Sequence, residues 1–105
     1  MESFDLTPDQ FAEGMQTHPD AVLLDVRTPE EYNGGHLPGA INVNIQGYEF
    51  HEQIENFDET KTYYVYCRSG ARSSTACKYM QSKGFQHVHN LAGGILAWNG
   101  EIQQP

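Results

Sequence analysis

Residues 21–24, Ala21-Val22-Leu23-Leu24, form an uninterrupted apolar run bounded by acidic residues. Four residues are too few to cross a bilayer as a helix and enough for a strand. A strand that is apolar at every position, not at every second one, needs cover on both faces. That is the habit of parallel sheets layered between helices. The flanking sequence supplies such helices. Thr7-Pro8-Asp9-Gln10 and Thr28-Pro29-Glu30-Glu31 each combine a capping threonine, proline at the first helical position and a Gln or Glu partner three residues on from the threonine. Leu6 and Phe11 are spaced as a hydrophobic staple on the first of these helices.

The alternation continues along the chain. A short strand is expected over residues 3–6, then a helix ending before His18-Pro19. The run at 21–24 follows, and a short helix from Thr28 stops at Asn33-Gly34-Gly35. Residues 41–43 read as a strand, and Phe50, Ile54 and Phe57 share one helical face. Tyr63-Tyr64-Val65-Tyr66 is β-prone, residues 73–83 read as a helix stopped by Gly84, 87–91 as a strand and 94–98 as a final short helix. With 105 residues this is one domain spanning 1–105, of α/β class with a mainly parallel sheet. Ligands of such sheets bind beyond the carboxyl ends of the strands.

The formal net charge of −8 argues against nucleic-acid and anionic-membrane partners. Its distribution is uneven. Residues 1–60 hold thirteen acids and a single base, Arg27, whereas residues 61–100 hold five bases and no acid. The basic segment suggests a local anion site. The beginning, Met1-Glu2-Ser3-Phe4-Asp5, has neither the basic nor the apolar part of a signal peptide. Two cysteines ten positions apart make neither a disulfide framework nor a four-ligand zinc site, so a reducing, cytoplasmic location is expected. The five histidines have no metal-ligand spacing, and His87 and His89 read as exposed or packed strand residues.

The residues just beyond Tyr66 are Cys67-Arg68-Ser69-Gly70-Ala71-Arg72-Ser73. A thiol there faces the first turn of the next helix. The unpaired amides of that turn, its dipole, and Arg68 and Arg72 all favour a thiolate. Gly70 lets the backbone curl into an anion-binding nest, and Ser69 and Ser73 add hydroxyl donors. Cys77, about a turn into the helix near Ala76 and Met80, reads as a core residue.

Four segments in order resemble the signatures of the single-domain rhodanese (sulfurtransferase) family. They are Leu23-Leu24-Asp25-Val26-Arg27-Thr28-Pro29-Glu30-Glu31-Tyr32, Gly35-His36-Leu37-Pro38-Gly39-Ala40-Ile41-Asn42, the loop 65–73, and Leu91-Ala92-Gly93-Gly94-Ile95-Leu96-Ala97-Trp98. The resemblance implies a three-layer α/β/α domain with a central five-stranded sheet. It also implies that Cys67 carries sulfane sulfur as a persulfide, whose outer sulfur the loop amides hold. Asp25 and Arg27 would form a hydrogen-bonded pair fixing the loop junction, and His36 would satisfy a turn. Gly93 and Gly94 would allow close packing beside the loop, and Trp98 would lie in the core.

The expected reaction is transfer of sulfur from a small anionic donor such as thiosulfate to cyanide or a thiol, with no metal or organic cofactor. Arg68 and Arg72 are expected to bind the donor, with Ser69, Gly70, Ala71 and Ser73 completing its cradle. Transfer to a sulfur-accepting protein is an equally consistent role. A cysteine phosphatase or arsenate reductase needs one residue more between Cys and Arg than the four that separate Cys67 from Arg72. A binding domain that had lost the chemistry would lack the cysteine.

Overall fold

The computed structural model describes residues 4–104. Five strands, β1 (Asp5–Leu6), β2 (Val22–Asp25), β3 (Ile41–Asn42), β4 (Thr62–Tyr66) and β5 (His87–Leu91), form one parallel sheet in the order β1-β5-β4-β2-β3. Between them run α1 (Pro8–Thr17), α2 (Pro29–Asn33), α3 (Phe50–Glu55) and α4 (Ala71–Ser82), and a 3-10 turn at Gly94–Ala97 follows β5. Both threonine capping boxes form as the sequence predicts. Among the described residues no helix is long and apolar enough to cross a membrane.

The strand alternation sorts the core into two layers. Tyr63, Val65 and Cys67 pack with Leu24, Ala76, Cys77 and Met80 on the α3/α4 face. Tyr64 and Tyr66 pack with Phe11, Leu23, Leu37 and Leu91 on the α1 face. The arrangement is therefore helix, sheet, helix, with the central strands β2 and β4 covered on both sides. Register then places the site. Asp25 sits opposite Tyr66, and Val65 opposite Asn90, so three strand ends converge where β4 gives way to the Cys67 loop.

Several boundaries differ from expectation. α4 starts at Ala71, not Ser73, because Gly70 takes a left-handed conformation (φ 105°) and turns the chain into the helix there. The first strand is described over residues 5–6, and Ser3 lies outside the described residues. β3 ends at Asn42, although the Val43 N–H still donates to the Asp25 carbonyl at 2.9 Å, and the Asn42 side-chain amide donates to the carbonyls of Asp25 and Arg27. Phe57 lies beyond the end of α3 but packs on the same core. Trp98 is half-buried at the rim, where its indole N–H donates to the Glu101 carbonyl at 3.1 Å.

Candidate active site

α4 has no side-chain cap at its start, so the amides of its first turn are available to another acceptor. That acceptor is sulfur. The Gly70 N–H lies 3.1 Å and the Ser73 N–H 3.4 Å from Cys67 Sγ, and the Ser73 hydroxyl is 3.3 Å away. Burial opposes ionisation of Cys67. Hydrogen bonds from the Ser73 hydroxyl, then from the Ser73, Gly70 and Ser69 amides, outweigh it and hold the thiol below its ordinary pKa. Cys67 is only 1% exposed, so a reagent must bring a reactive atom into the loop to meet it.

The two arginines stand apart from these donors. Neither is among the described hydrogen-bond donors to Sγ; amides and a hydroxyl supply those. Arg68 is exposed. Arg72 forks onto Glu31, Nη1 to Oε1 at 2.8 Å and Nη2 to Oε2 at 2.9 Å. The acid-free basic segment thus receives a carboxylate from the other half of the chain. Ser69 and Ala71 are exposed, Gly70 is half-buried, and Ser73 is buried.

Asp25 and Arg27 form the anticipated pair. Asp25 Oδ1 accepts from the Arg27 backbone N–H at 2.9 Å, and Oδ2 accepts from Arg27 Nη2 at 2.7 Å. Arg27 Nη2 also donates to the Gly35 carbonyl at 2.7 Å, tying the second signature segment to the first. His36 is buried, its Nδ1 3.0 Å from the Tyr32 carbonyl and its ring stacked on Tyr32. The 3-10 turn supports the loop from below: Ile95 and Leu96 N–H donate to the carbonyls of Cys67 and Arg68 at 2.9 and 3.2 Å. A Cβ at Gly94 would stand 2.6 Å from the Ser69 nitrogen, so glycine is required there. Cys77 is fully buried, and desolvation pushes its thiol up to about 12.

Two site residues escaped the sequence reading. Asn90, buried on β5, donates through Nδ2 to the Gly70 carbonyl at 3.2 Å and to Asp5 Oδ1 at 2.8 Å, while its Oδ1 meets the Ser73 hydroxyl. An amide inside the strand His87-Val88-His89-Asn90-Leu91 was the available signal. In the sequence Glu31 signals a helix cap and nothing of Arg72; it keeps the cap, its Oε1 accepting from the Thr28 N–H at 3.0 Å.

A thiol at a strand end, ringed by donors from the start of the next helix, sits on a five-stranded parallel sheet in an α/β domain. The chain belongs to the rhodanese-like domain family, whose pattern it matches over residues 7–101. It is 36% identical over 103 residues to YtwF of Bacillus subtilis, whose name carries a provisional sulfurtransferase assignment; the match covers 98% of this chain and 97% of that one. A sulfurtransferase of Allochromatium vinosum is 38% identical over 79 residues, 75% of this chain and 72% of its own. The crystal structure of a rhodanese-like domain protein from Staphylococcus aureus superposes with a TM-score of 0.83 at 25% identity, covering 96% and 97% of the two chains. Longer relatives include tRNA uridine(34) hydroxylases, of which this chain matches 30–40%.

Proposed function

We propose that the protein is a sulfurtransferase in which Cys67 carries sulfane sulfur as a persulfide. The observation that supports this most directly is the set of donors converging on Cys67 Sγ from Gly70 and Ser73. In the first half-reaction the Cys67 thiolate attacks the outer sulfur of a donor such as thiosulfate. A new S–S bond forms, the donor's own S–S bond breaks, and sulfite leaves with that electron pair. In the second, cyanide or a thiolate attacks the outer sulfur of the persulfide, and the Cys67 thiolate departs. The two steps are redox-neutral overall and return the enzyme unchanged.

The loop residues have matching roles. The amides of residues 68–73 stabilise the negative persulfide sulfur, a single atom that a small ring of N–H groups can surround. Arg68, exposed at the mouth, draws in the anionic donor. Asp25 and Arg27 hold the strand ends and do not touch the reacting atoms. A phosphatase reading is disfavoured because Arg72 is one residue short of the required spacing and its fork is already on Glu31. The acceptor is a small thiophile or the thiol of a partner protein.

Incubation with thiosulfate followed by intact-mass measurement tests the reading. The native protein should gain one sulfur atom, and cyanide should remove it. Cys67→Ser should gain none, while Cys77→Ser should still load. Cys67-dependent hydrolysis of a phosphate ester, with no sulfur gained, would overturn the proposal.

A further inference from the structure

The Arg72–Glu31 pair is tied to the start of the helix whose first turn reaches the thiol that the proposed chemistry would use. Arg72 belongs to the first turn of α4, one residue before Ser73, whose amide and hydroxyl reach Cys67. Glu31, through its hydrogen bonds first, holds the Arg72 charge, and the Cys67 charge adds to that hold, so Arg72 is in electrostatic reach of the sulfur. Both side chains are about a quarter exposed.

Glu31 is not a carboxylate that swings away easily. Its Oε1 accepts from the Thr28 backbone N–H at 3.0 Å and from the Thr28 hydroxyl at 3.1 Å, as part of the α2 capping box. Both nitrogens at the tip of Arg72 are engaged by the two Glu31 oxygens, and such a fork is the geometry arginine uses to recognise an oxyanion. A donor oxyanion that reaches that fork has to compete with a fixed carboxylate for it. The pair as a unit is neutral, and the Cys67 thiolate of the proposed reaction and Asp25 are the further negative charges that Arg72 feels.

Resting on the sulfurtransferase reading, we propose that Glu31 sets the charge of the sulfur donor: by occupying the Arg72 fork it favours donors with one negative charge over dianions such as thiosulfate. The preferred class is then singly charged sulfane-sulfur compounds, thiosulfonates and organic persulfides among them. Glu31 acts through Arg72 and is a positioning residue, not a catalytic one.

Thiosulfate and methanethiosulfonate isolate the effect, because a methyl group in the second replaces one charged oxygen of the first. Each gives the same Cys67 persulfide: the S–S or S–S(sulfonyl) bond of the donor breaks, and sulfite or methanesulfinate leaves with the electron pair. Glu31→Gln preserves the cap, since Gln serves at that capping-box position. The ratio of kcat/KM for thiosulfate to that for methanethiosulfonate should rise at least about threefold in the variant, chiefly through a lower KM for thiosulfate. In an Arg72→Gln background the same Glu31→Gln change should yield less than about half that gain. An unchanged ratio, or a gain undiminished without Arg72, overturns the inference. Salt gives a second reading on the unaltered protein. Screening should raise the thiosulfate ratio if the site repels a second charge, and a falling ratio overturns the inference. Failure of native Cys67 to load sulfur from either donor would instead overturn the sulfurtransferase reading and this inference with it.

Discussion

The Tyr66 hydroxyl donates to Asp25 Oδ2 at 2.7 Å, joining two residues that face each other in the β2–β4 register. The same oxygen accepts from the Leu37 N–H at 3.0 Å. Burial first, then the Asp25 charge, holds the Tyr66 phenol well above its ordinary pKa, so it stays a donor throughout the physiological range. One buried hydroxyl thus ties the strand that leads into Cys67 to Asp25, and through Asp25 to Arg27 and Gly35.

Tyr66→Phe should therefore cost stability more than chemistry. It strips one donor from Asp25 and leaves the Leu37 N–H unpaired in a buried place, a loss of about 1–3 kcal/mol. Tyr66 faces the α1 layer and Cys67 the α4 layer, so sulfur loading by the folded fraction should stay near native. Urea unfolding together with persulfide formation checks both halves. An unchanged midpoint would show that water replaces the hydroxyl.

Ser73→Ala removes the side-chain donor to the Cys67 sulfur and leaves the Ser73 and Gly70 amides in place. The hydroxyl has one proton and three acceptors around it, Cys67 Sγ, the Gly70 carbonyl and Asn90 Oδ1. Ionised sulfur is the strongest claimant, so the thiolate loses part of its stabilisation. Sulfur transfer near neutral pH should fall about three- to tenfold. The pH profile of Cys67 alkylation should move to higher pH. A profile that does not move would mean that the proton stays with Asn90 in both forms.

Acid should weaken the protein through Glu31. Hydrogen bonds from Arg72, the largest cause, bring the Glu31 carboxyl from an ordinary 4.5 down to about 2. The folded state therefore binds this proton less readily than the unfolded chain. Its stabilising contribution is complete above about 4.5 and is lost as pH falls toward about 2. Glu31→Gln has no such proton to take up. The difference in Tm between native protein and variant should accordingly shrink across that window and be constant above it. Melting curves at several pH values measure it.

Most of the fold was legible because its signals are local. Both capping boxes, the two-sided apolar strand at 21–24 and the stop at Gly84 depend on residues within one turn of each other. Cys67 and Gly70 were legible for the same reason: a strand end, a left-handed glycine and a helix start lie within five positions. Glu31 and Asn90 were not. The first lies 41 positions from Arg72 and the second 17 from Ser73. Only the strand order, which sets β2 and β5 on either side of β4, brings them to the loop. The same order explains why a segment without acids in sequence does not make a site without acids in space.

The length of the loop should decide the reaction class. The loop is fixed at both ends. Tyr66 accepts from the Val26 N–H at 3.0 Å, Cys67 and Arg68 accept from Ile95 and Leu96, and the Gly70 carbonyl accepts from the Ser74 N–H at 3.1 Å. Gly70 itself turns the chain in a left-handed conformation (φ 105°) that side-chain-bearing residues rarely adopt. The opening over Cys67 is therefore set by the number of residues between the clamps. One extra glycine after Gly70 would push the Ser73 donors away from the sulfur, widen the ring and move Arg72 to the spacing that phosphate or arsenate chemistry requires. Sulfur loading from thiosulfate should fall at least about tenfold, because the hydrogen bonds that stabilise the thiolate and the persulfide lengthen together. Hydrolysis of a chromogenic phosphate ester should be absent in the native protein and at most weak in the insertion variant, because spacing alone does not supply the general acid that a leaving alkoxide needs. Sulfur loading that survives the insertion at the native rate would show that the dimensions of the ring do not select the sulfur.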